Sequence, residues 1–304
     1  MEPAARVALI GVGLIGSSIA RAVRAAMPGV RISATDSDPG VRARVAELSL
    51  ADAVCETAAE AARDADLVIL CTPLSAYAEV ADSIAPALAP GAVVSDVGSA
   101  KGCVMGLRAR LPEGVHLVPA HPVAGTERSG PDAGFAALFR NRWCILTPPE
   151  GTDPAAVARV ASFWERLGAM VEVMDAAHHD LVLAVTSHVP HLIAYSIVGT
   201  ASDIENVASG EVIKYSAGGF RDFTRIAASD PTMWRDIFLA NRAAVLEVLG
   251  RVTEDLAALQ RAIRWGDGEL LFRRFASSRA IRRAIIEAGQ DTPAPDFGRS
   301  REES

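Results

Sequence analysis

The run Gly11-Val12-Gly13-Leu14-Ile15-Gly16 stands between an apolar, strand-like segment (residues 6–10) and a helical pattern over 14–27. A GxGxxG spacing alone says little, but inside strand–turn–helix it marks a turn that cradles a dinucleotide. Gly11 permits the tight turn, Gly13 lets the backbone approach a pyrophosphate, and Gly16 lets helix and strand pack closely. The free amides of the helix start, at Leu14 and Ile15, then meet the phosphates, aided by the helix dipole. Asp36 ends the next apolar run, 30–35, at the distance where an acid accepts hydrogen bonds from the ribose hydroxyls. The same acid repels a 2′-phosphate, so the expected cofactor is NAD in preference to NADP. Arg42 and Arg44 follow on the next helix and are read as facing solvent. The plainer alternative, a glycine-rich turn without a ligand, leaves Asp36 unexplained.

Further apolar runs occupy 67–71, 92–95, 115–120, 143–147 and 169–174, alternating with helical patterns over 38–48, 75–88, 100–110 and 153–167. Buried strands alternating with helices predict a parallel sheet covered on both faces. After Asp175 no strand pattern recurs, and residues 176–205, 232–263 and 267–288 carry apolar groups at helical intervals. The expected organisation is an α/β Rossmann-like domain over 1–175 and an all-α domain over 176–290. A tail over 291–304, with Pro293, Pro295 and Gly298, is expected to be disordered.

The net charge of −7 over 304 residues argues against a general nucleic-acid surface. Lys101 and Lys214 are the only lysines, so arginine, whose planar fork suits carboxylates, carries the positive charge. The four cysteines form no CxxC pair and read as small buried apolar residues in a reducing compartment. No signal-peptide pattern opens the chain, and no apolar run reaches the ~18 residues of a membrane span. A cytoplasmic protein without membrane or nucleic-acid partners is the expectation.

Several segments at strand ends can carry chemistry. Thr72-Pro73 follows the run 67–71 and is placed in the cofactor cleft, with a plain strand-ending turn as the alternative. Ser99, in Asp96-Val97-Gly98-Ser99-Ala100-Lys101, and His121, in His121-Pro122-Val123-Ala124-Gly125-Thr126-Glu127, follow two further runs. Oxidising an alcohol needs a hydride acceptor and a group that takes the hydroxyl proton, and neutral imidazole suits the second task near pH 7. A serine hydroxyl on the other ring nitrogen would fix the tautomer. Ser187-His188-Val189-Pro190-His191 begins the helical part, with Pro190 marking a kink or a helix start. His178, His179, His188 and His191 lack the partners of a recognisable metal site, so no metal is expected. Arg225, in Gly218-Gly219-Phe220-Arg221-Asp222-Phe223-Thr224-Arg225-Ile226-Ala227, can hold a carboxylate through two parallel bonds. Arg221 and Asp222 either bind ligand or pair with each other at the surface.

Taken in order, five runs resemble the prephenate dehydrogenase family: the one opening at Gly11, Asp96–Lys101, His121–Glu127, Ser187–His191, and Gly218 through Asp230-Pro231-Thr232-Met233-Trp234-Arg235-Asp236. The resemblance implies a Rossmann-like domain followed by a helical domain that makes a homodimer. It implies NAD(P)-dependent oxidative decarboxylation of a cyclohexadienyl acid, prephenate or arogenate, in tyrosine biosynthesis. By motif, His121 matches the catalytic histidine and Ser99 its partner, His191 and Arg225 match substrate-binding positions, and Thr126 and Glu127 match a loop bordering the site. Two other readings compete. A β-hydroxyacid dehydrogenase would place a lysine on the long helix after the sheet, where this chain has Ser187 and His188. A non-catalytic NAD-binding dimer could do without His121, Ser99 and Arg225.

Overall fold

The computed structural model describes residues 5–126, 128–208 and 218–287. Strands β1 (Arg6–Ile10), β2 (Arg31–Thr35), β3 (Ala53–Val54), β4 (Leu67–Leu70), β5 (Val93–Asp96) and β6 (His116–Leu117) form a parallel sheet in the order β3-β2-β1-β4-β5-β6. Alternate residues of a strand point to opposite faces, and the core divides accordingly. Val7, Leu9, Leu67 and Ile69 join one apolar cluster with Ile19 and Val23 of α1 (Leu14–Ala26). Ala8, Ile10, Val68 and Leu70 join a second with Ala61 of α3 (Ala58–Ala62) and Ile84 of α4 (Tyr77–Ile84). The strand order reverses between β1 and β4, which opens a crevice at their carboxyl ends. Two short elements escape the periodicity reading, β3 and α3. The spacing that marks α3 is Thr57 to Glu60, whose side chains cap each other's amides in a reciprocal box.

The last three strands leave this sheet, against the expectation of one parallel sheet. β7 (Ala120–Pro122), β8 (Trp143–Leu146) and β9 (Met170–Val173) form a separate one, with β7 antiparallel to β8 and β9 parallel to it. Proline supplies the reason. Val118 still donates to Val94 at 2.9 Å, but Pro119 has no amide with which to continue the ladder, and its carbonyl accepts from Thr147 at 3.0 Å. The run 115–120 is therefore two strands in two sheets, and His121 lies inside the second.

No strand follows Val173 among the described residues. Asp175 caps α7 (Ala176–Leu183), which passes through a π-turn at Ala184–His188 into α8 (Val189–Ala208). Pro190, which lacks an amide donor, sits just beyond that turn, and π-turns in helices recur at functional sites. Then come α9 (Gly218–Thr224), a 3₁₀ turn at Arg225–Ala228, α10 (Pro231–Ala240), α11 (Arg242–Trp265) and α12 (Gly268–Glu287). The continuous helix Ala176–Ile204 is long and apolar enough to cross a membrane by length and composition alone, which the sequence reading did not anticipate. Yet it buries His179, Asp180 and His188, groups that hydrocarbon penalises.

The chain divides into two compact units at Val245–Leu246, inside α11, rather than at the change of class near residue 175. The second unit pairs Arg274 with Asp255 at 3.5 Å and exposes Leu256, Ile263, Trp265, Phe272 and Phe275. The tail 291–304 lies outside the described residues.

Candidate active site

The nucleotide end is shaped by three glycines with three different surroundings. Gly11 has φ +95°, and a Cβ there would stand 2.8 Å from the Cys71 carbonyl carbon and oxygen. A Cβ on Gly16 would strike the Gly11 carbonyl oxygen. A Cβ on Gly13 would meet no protein atom within 4 Å. Packing therefore explains Gly11 and Gly16, whereas Gly13 keeps open a surface that a pyrophosphate can use. Asp36 accepts from the Val12 amide at 2.8 Å and the Asp38 amide at 3.1 Å. Arg42 donates to the Asp36 carbonyl at 2.7 Å, and Arg44 grips Asp132 at 2.6 Å and Glu47 at 2.8 Å. Arg44 faces solvent as read, pairing with two exposed carboxylates, whereas Arg42 is half-buried and turned back onto the backbone. The Thr72 hydroxyl, at the carboxyl end of β4, is buried without a hydrogen-bond partner, and Pro73 beside it is exposed. An open Gly13 and an orphan hydroxyl across the same crevice fit a bound dinucleotide.

Beyond β5 lies a buried polar cluster. The Lys101 ammonium, fully buried, bonds Asp96 at 2.6 Å and the Ala120 carbonyl at 2.7 Å. Asp96 also accepts from the Gly98 amide at 2.8 Å and the Ala120 amide at 3.2 Å. Removing either charge would strand the other in a dry interior, at a cost of about 3–5 kcal/mol. This pair pins the backbone next to His121. The His121 Nδ1 lies 2.8 Å from His179 Nε2, and His179 Nδ1 lies 2.9 Å from Asp180 Oδ1. The Asp180 carboxylate further accepts from the amides of Lys101 at 2.7 Å and Gly102 at 2.8 Å. Burial alone would raise the Asp180 pKa, but the bonds from His179 and those two amides bring it below the usual carboxylate value. Burial, with His179, Lys101 and His188 as neighbours, pushes His121 well below the usual imidazole value. His121 is therefore neutral near pH 7.

The helical wall adds His188, Asn241, His191, Trp234 and Arg225. His188, in the π-turn, is fully buried, and burial pushes its pKa down to about 4. The Asn241 amide donates to the Asp180 carbonyl at 2.8 Å and to His188 Nδ1 at 3.0 Å. The His188 Nε2 has no well-formed hydrogen bond, although the Ser99 backbone stands close enough to draw its pKa upward. His191 donates from Nδ1 to the Ser187 carbonyl at 2.8 Å and stacks on Trp234 with ring centroids 3.7 Å apart. Burial lowers its pKa, and the exposed Arg225 beside it adds to that. His188 lowers the pKa of His121, His191 that of His188, and Arg225 that of His191, each by charge repulsion.

Residues 19–173 match the family model for the prephenate dehydrogenase nucleotide-binding domain, and residues 175–277 that for the prephenate dehydrogenase dimerization domain. The chain belongs to the prephenate dehydrogenase family. It is 46% identical to a cyclohexadienyl dehydrogenase of Zymomonas mobilis, over 92% of this chain and 95% of that protein. A prephenate dehydrogenase of Bacillus subtilis is 34% identical, over 90% of this chain and 74% of that one. Among solved structures, a prephenate dehydrogenase from A. aeolicus, in complex with hydroxyphenyl propionate and NAD+, superposes with a TM-score of 0.83 at 34% identity. That match covers 92% of this chain and 98% of that chain. The arogenate dehydrogenase of Synechocystis gives 0.77 at 26% identity, covering 92% and 99%.

Ser99 corrects one expectation of the family reading. No hydrogen bond joins Ser99 to His121 among the described residues; the ring nitrogen meant for serine is taken by His179. Thr126 is exposed, its hydroxyl accepting from the Arg128 amide at 3.2 Å, and Glu127 lies outside the described residues. Arg221 and Asp222, both exposed, pair with each other at 3.0 Å. The cysteines are free; against the expectation of four small buried residues, only Cys144 is buried, Cys55 and Cys71 are half-buried and Cys103 is exposed. Sequence reasoning missed the roles of Lys101, His179, Asp180 and Asn241. The available signal was His179-Asp180, a base and an acid one turn inside a helix that Asp175 caps.

Proposed function

We propose that this protein is a cyclohexadienyl dehydrogenase that oxidatively decarboxylates prephenate, arogenate or both with NAD, in the cytoplasmic synthesis of tyrosine. The identity of 46% along nearly the whole of the Zymomonas mobilis cyclohexadienyl dehydrogenase carries this reading. Gly11, Gly13, Leu14, Ile15, Gly16, Thr72 and Pro73 would hold the dinucleotide, with Asp36 favouring NAD over NADP. When bound, NAD supplies the oxidant, taking hydride from ring C4 as the ring carboxylate leaves as carbon dioxide and the product becomes aromatic.

The chain's own groups do the rest. His121, neutral, accepts the C4 hydroxyl proton at Nε2. Ser99 borders the reacting carbon. Arg225 holds a substrate carboxylate and so orients the ring for transfer. His191, whose Nδ1 proton is committed to Ser187, offers the substrate an acceptor at Nε2. That suits a hydroxyl or an ammonium and leaves the carboxylate to Arg225. Thr126 and Glu127 match, by motif, the family's loop bordering the active site. Residues 176–290 form the substrate and dimerisation domain, and the active species is a homodimer.

The test is the appearance of NADH with prephenate and with arogenate, each repeated with NADP. Turnover of at least one acid with NAD is the expected result. NAD binding without oxidation of either acid would favour a non-catalytic dimer, and oxidation of a 3-hydroxy acid instead would favour a β-hydroxyacid dehydrogenase.

A further inference from the structure

We propose that His179 and Asp180 are positioning residues that dictate which nitrogen of His121 carries the proton. Asp180 is ionised and can only accept, so His179 must present Nδ1–H to it across 2.9 Å. His179 is neutral, since burial lowers its pKa more than Asp180 raises it. Its Nε2 is then a lone pair. The 2.8 Å contact from that nitrogen to His121 Nδ1 is a hydrogen bond only if His121 donates. His121 Nδ1–H leaves Nε2 bare, the form a base must have. An imidazole without such a partner favours the opposite tautomer, with its proton on Nε2, where it cannot accept.

Among the described residues, no polar group other than His179 hydrogen-bonds to the His121 ring. The Lys101 ammonium is spent on Asp96 and the Ala120 carbonyl. His188 Nδ1 accepts from Asn241, whose second bond goes to the Asp180 carbonyl. Ser99 makes no bond to His121. The hydrogen bond that orients His121 therefore comes from His179, which is itself held by a carboxylate fixed by the Lys101 and Gly102 amides. This inference rests on the reading of His121 as the proton acceptor. When Nε2 takes the hydroxyl proton, the Nδ1 proton stays on His121. The resulting imidazolium faces a lone pair backed by the Asp180 negative charge, and the hydride goes to NAD.

The experiment uses the full chain with histidine labelled by ¹⁵N, and it needs no turnover for its first readout. In the cofactor-free protein at pH 7, the His121 resonances, assigned by their loss in His121→Asn, should report a proton on Nδ1 and a bare Nε2. His179→Phe keeps the ring volume but removes the acceptor. It should move His121 to the Nε2–H form and lower kcat on the order of 10²-fold, with KM for the acid and the dissociation constant for NAD within about threefold. His179→Gln, which can still accept from His121 and donate to Asp180, should recover at least tenfold of that loss. Circular dichroism and thermal melting establish that both variants fold. A wild-type His121 protonated on Nε2, or His179→Phe with kcat within twofold of wild type, would overturn the relay. Near-normal turnover in His121→Asn would instead overturn the assignment of the base, while the tautomer readout in wild type stands independently of it.

Discussion

At the nucleotide end, the contacts that shape the site join residues close in sequence or on adjacent strands: Gly11 with Gly16, Gly11 with Cys71, Val12 with Asp36 across 24 positions. Around His121, contacts that span 53 to 79 positions bring together the loop after β5, β7, α7, the π-turn and Asn241 between α10 and α11. The first site is a local solution to a steric problem and can be written as a short motif. The second exists only once the topology has closed, because each of its polar groups is useless, and costly, without a partner from another element. Binding and chemistry in this protein are thus encoded at different ranges.

That contrast can be broken or sharpened by mutation. His121→Asn should lower kcat by about 10²–10⁴-fold, the range for a general base, with NAD affinity unchanged by titration calorimetry. Retained turnover would remove the cluster from the chemistry. Within the glycine turn, Gly16→Ala and Gly13→Ala should separate folding from binding. The first drives a methyl into the Gly11 carbonyl and should cost about 3 kcal/mol in denaturant unfolding. The second meets no protein atom, at a φ of −77° that any residue adopts. It should leave stability within about 0.5 kcal/mol and weaken NAD about tenfold or more, roughly 1.4 kcal/mol. Equal destabilisation by both would mean that Gly13, too, is a packing residue.

Acid should strike the cluster and spare the turn. The folded pKa values of His121, His179 and His188 lie below the usual imidazole value. The unfolded chain therefore binds more protons than the folded one below pH ~6.5, and stability falls as the pH drops. His188 alone, at about 4, accounts for about 3 kcal/mol lost between pH ~6.5 and ~4. By the same sign, kcat/KM should stay level through neutrality and fall only below the ordinary imidazole range. A stability curve flat between pH 7 and 4 would contradict the buried, neutral histidines. The smallest effect is expected of Asp36→Ser. It should narrow the preference for NAD over NADP by about tenfold (roughly 1.4 kcal/mol), because Arg42 remains tied to the backbone and Arg44 to Asp132.

The same difference in range explains what could be read from the sequence. The parallel sheet, the glycine turn, Asp36 and the change to helices after 175 follow from periodicity and local chemistry. Pro119 was visible, but that it sends His121 into a second sheet depends on where Thr147 lies in space. Ser99 was the reasonable partner for His121 because both follow apolar runs that end at one crevice. His179 displaced it because a capped helix from later in the chain delivers a better acceptor, held by Asp180. Lys101 stood out in the sequence only as one of two lysines, and nothing local marks it as the most deeply buried charge of the cluster.

Asp180 has two duties. Its oxygens receive the amides of Lys101 and Gly102 from the loop after β5, and one of them also steadies the ring of His179. An excursion that parts α7 from that loop breaks both amide bonds to Asp180, and because His179 rides on the same helix it also draws His179 away from His121. On the proposed reading of His121 as the proton acceptor, its alignment is lost in the same movement. A catalyst wired this way idles when ajar, and so protects a labile cyclohexadiene from being oxidised before it is properly seated.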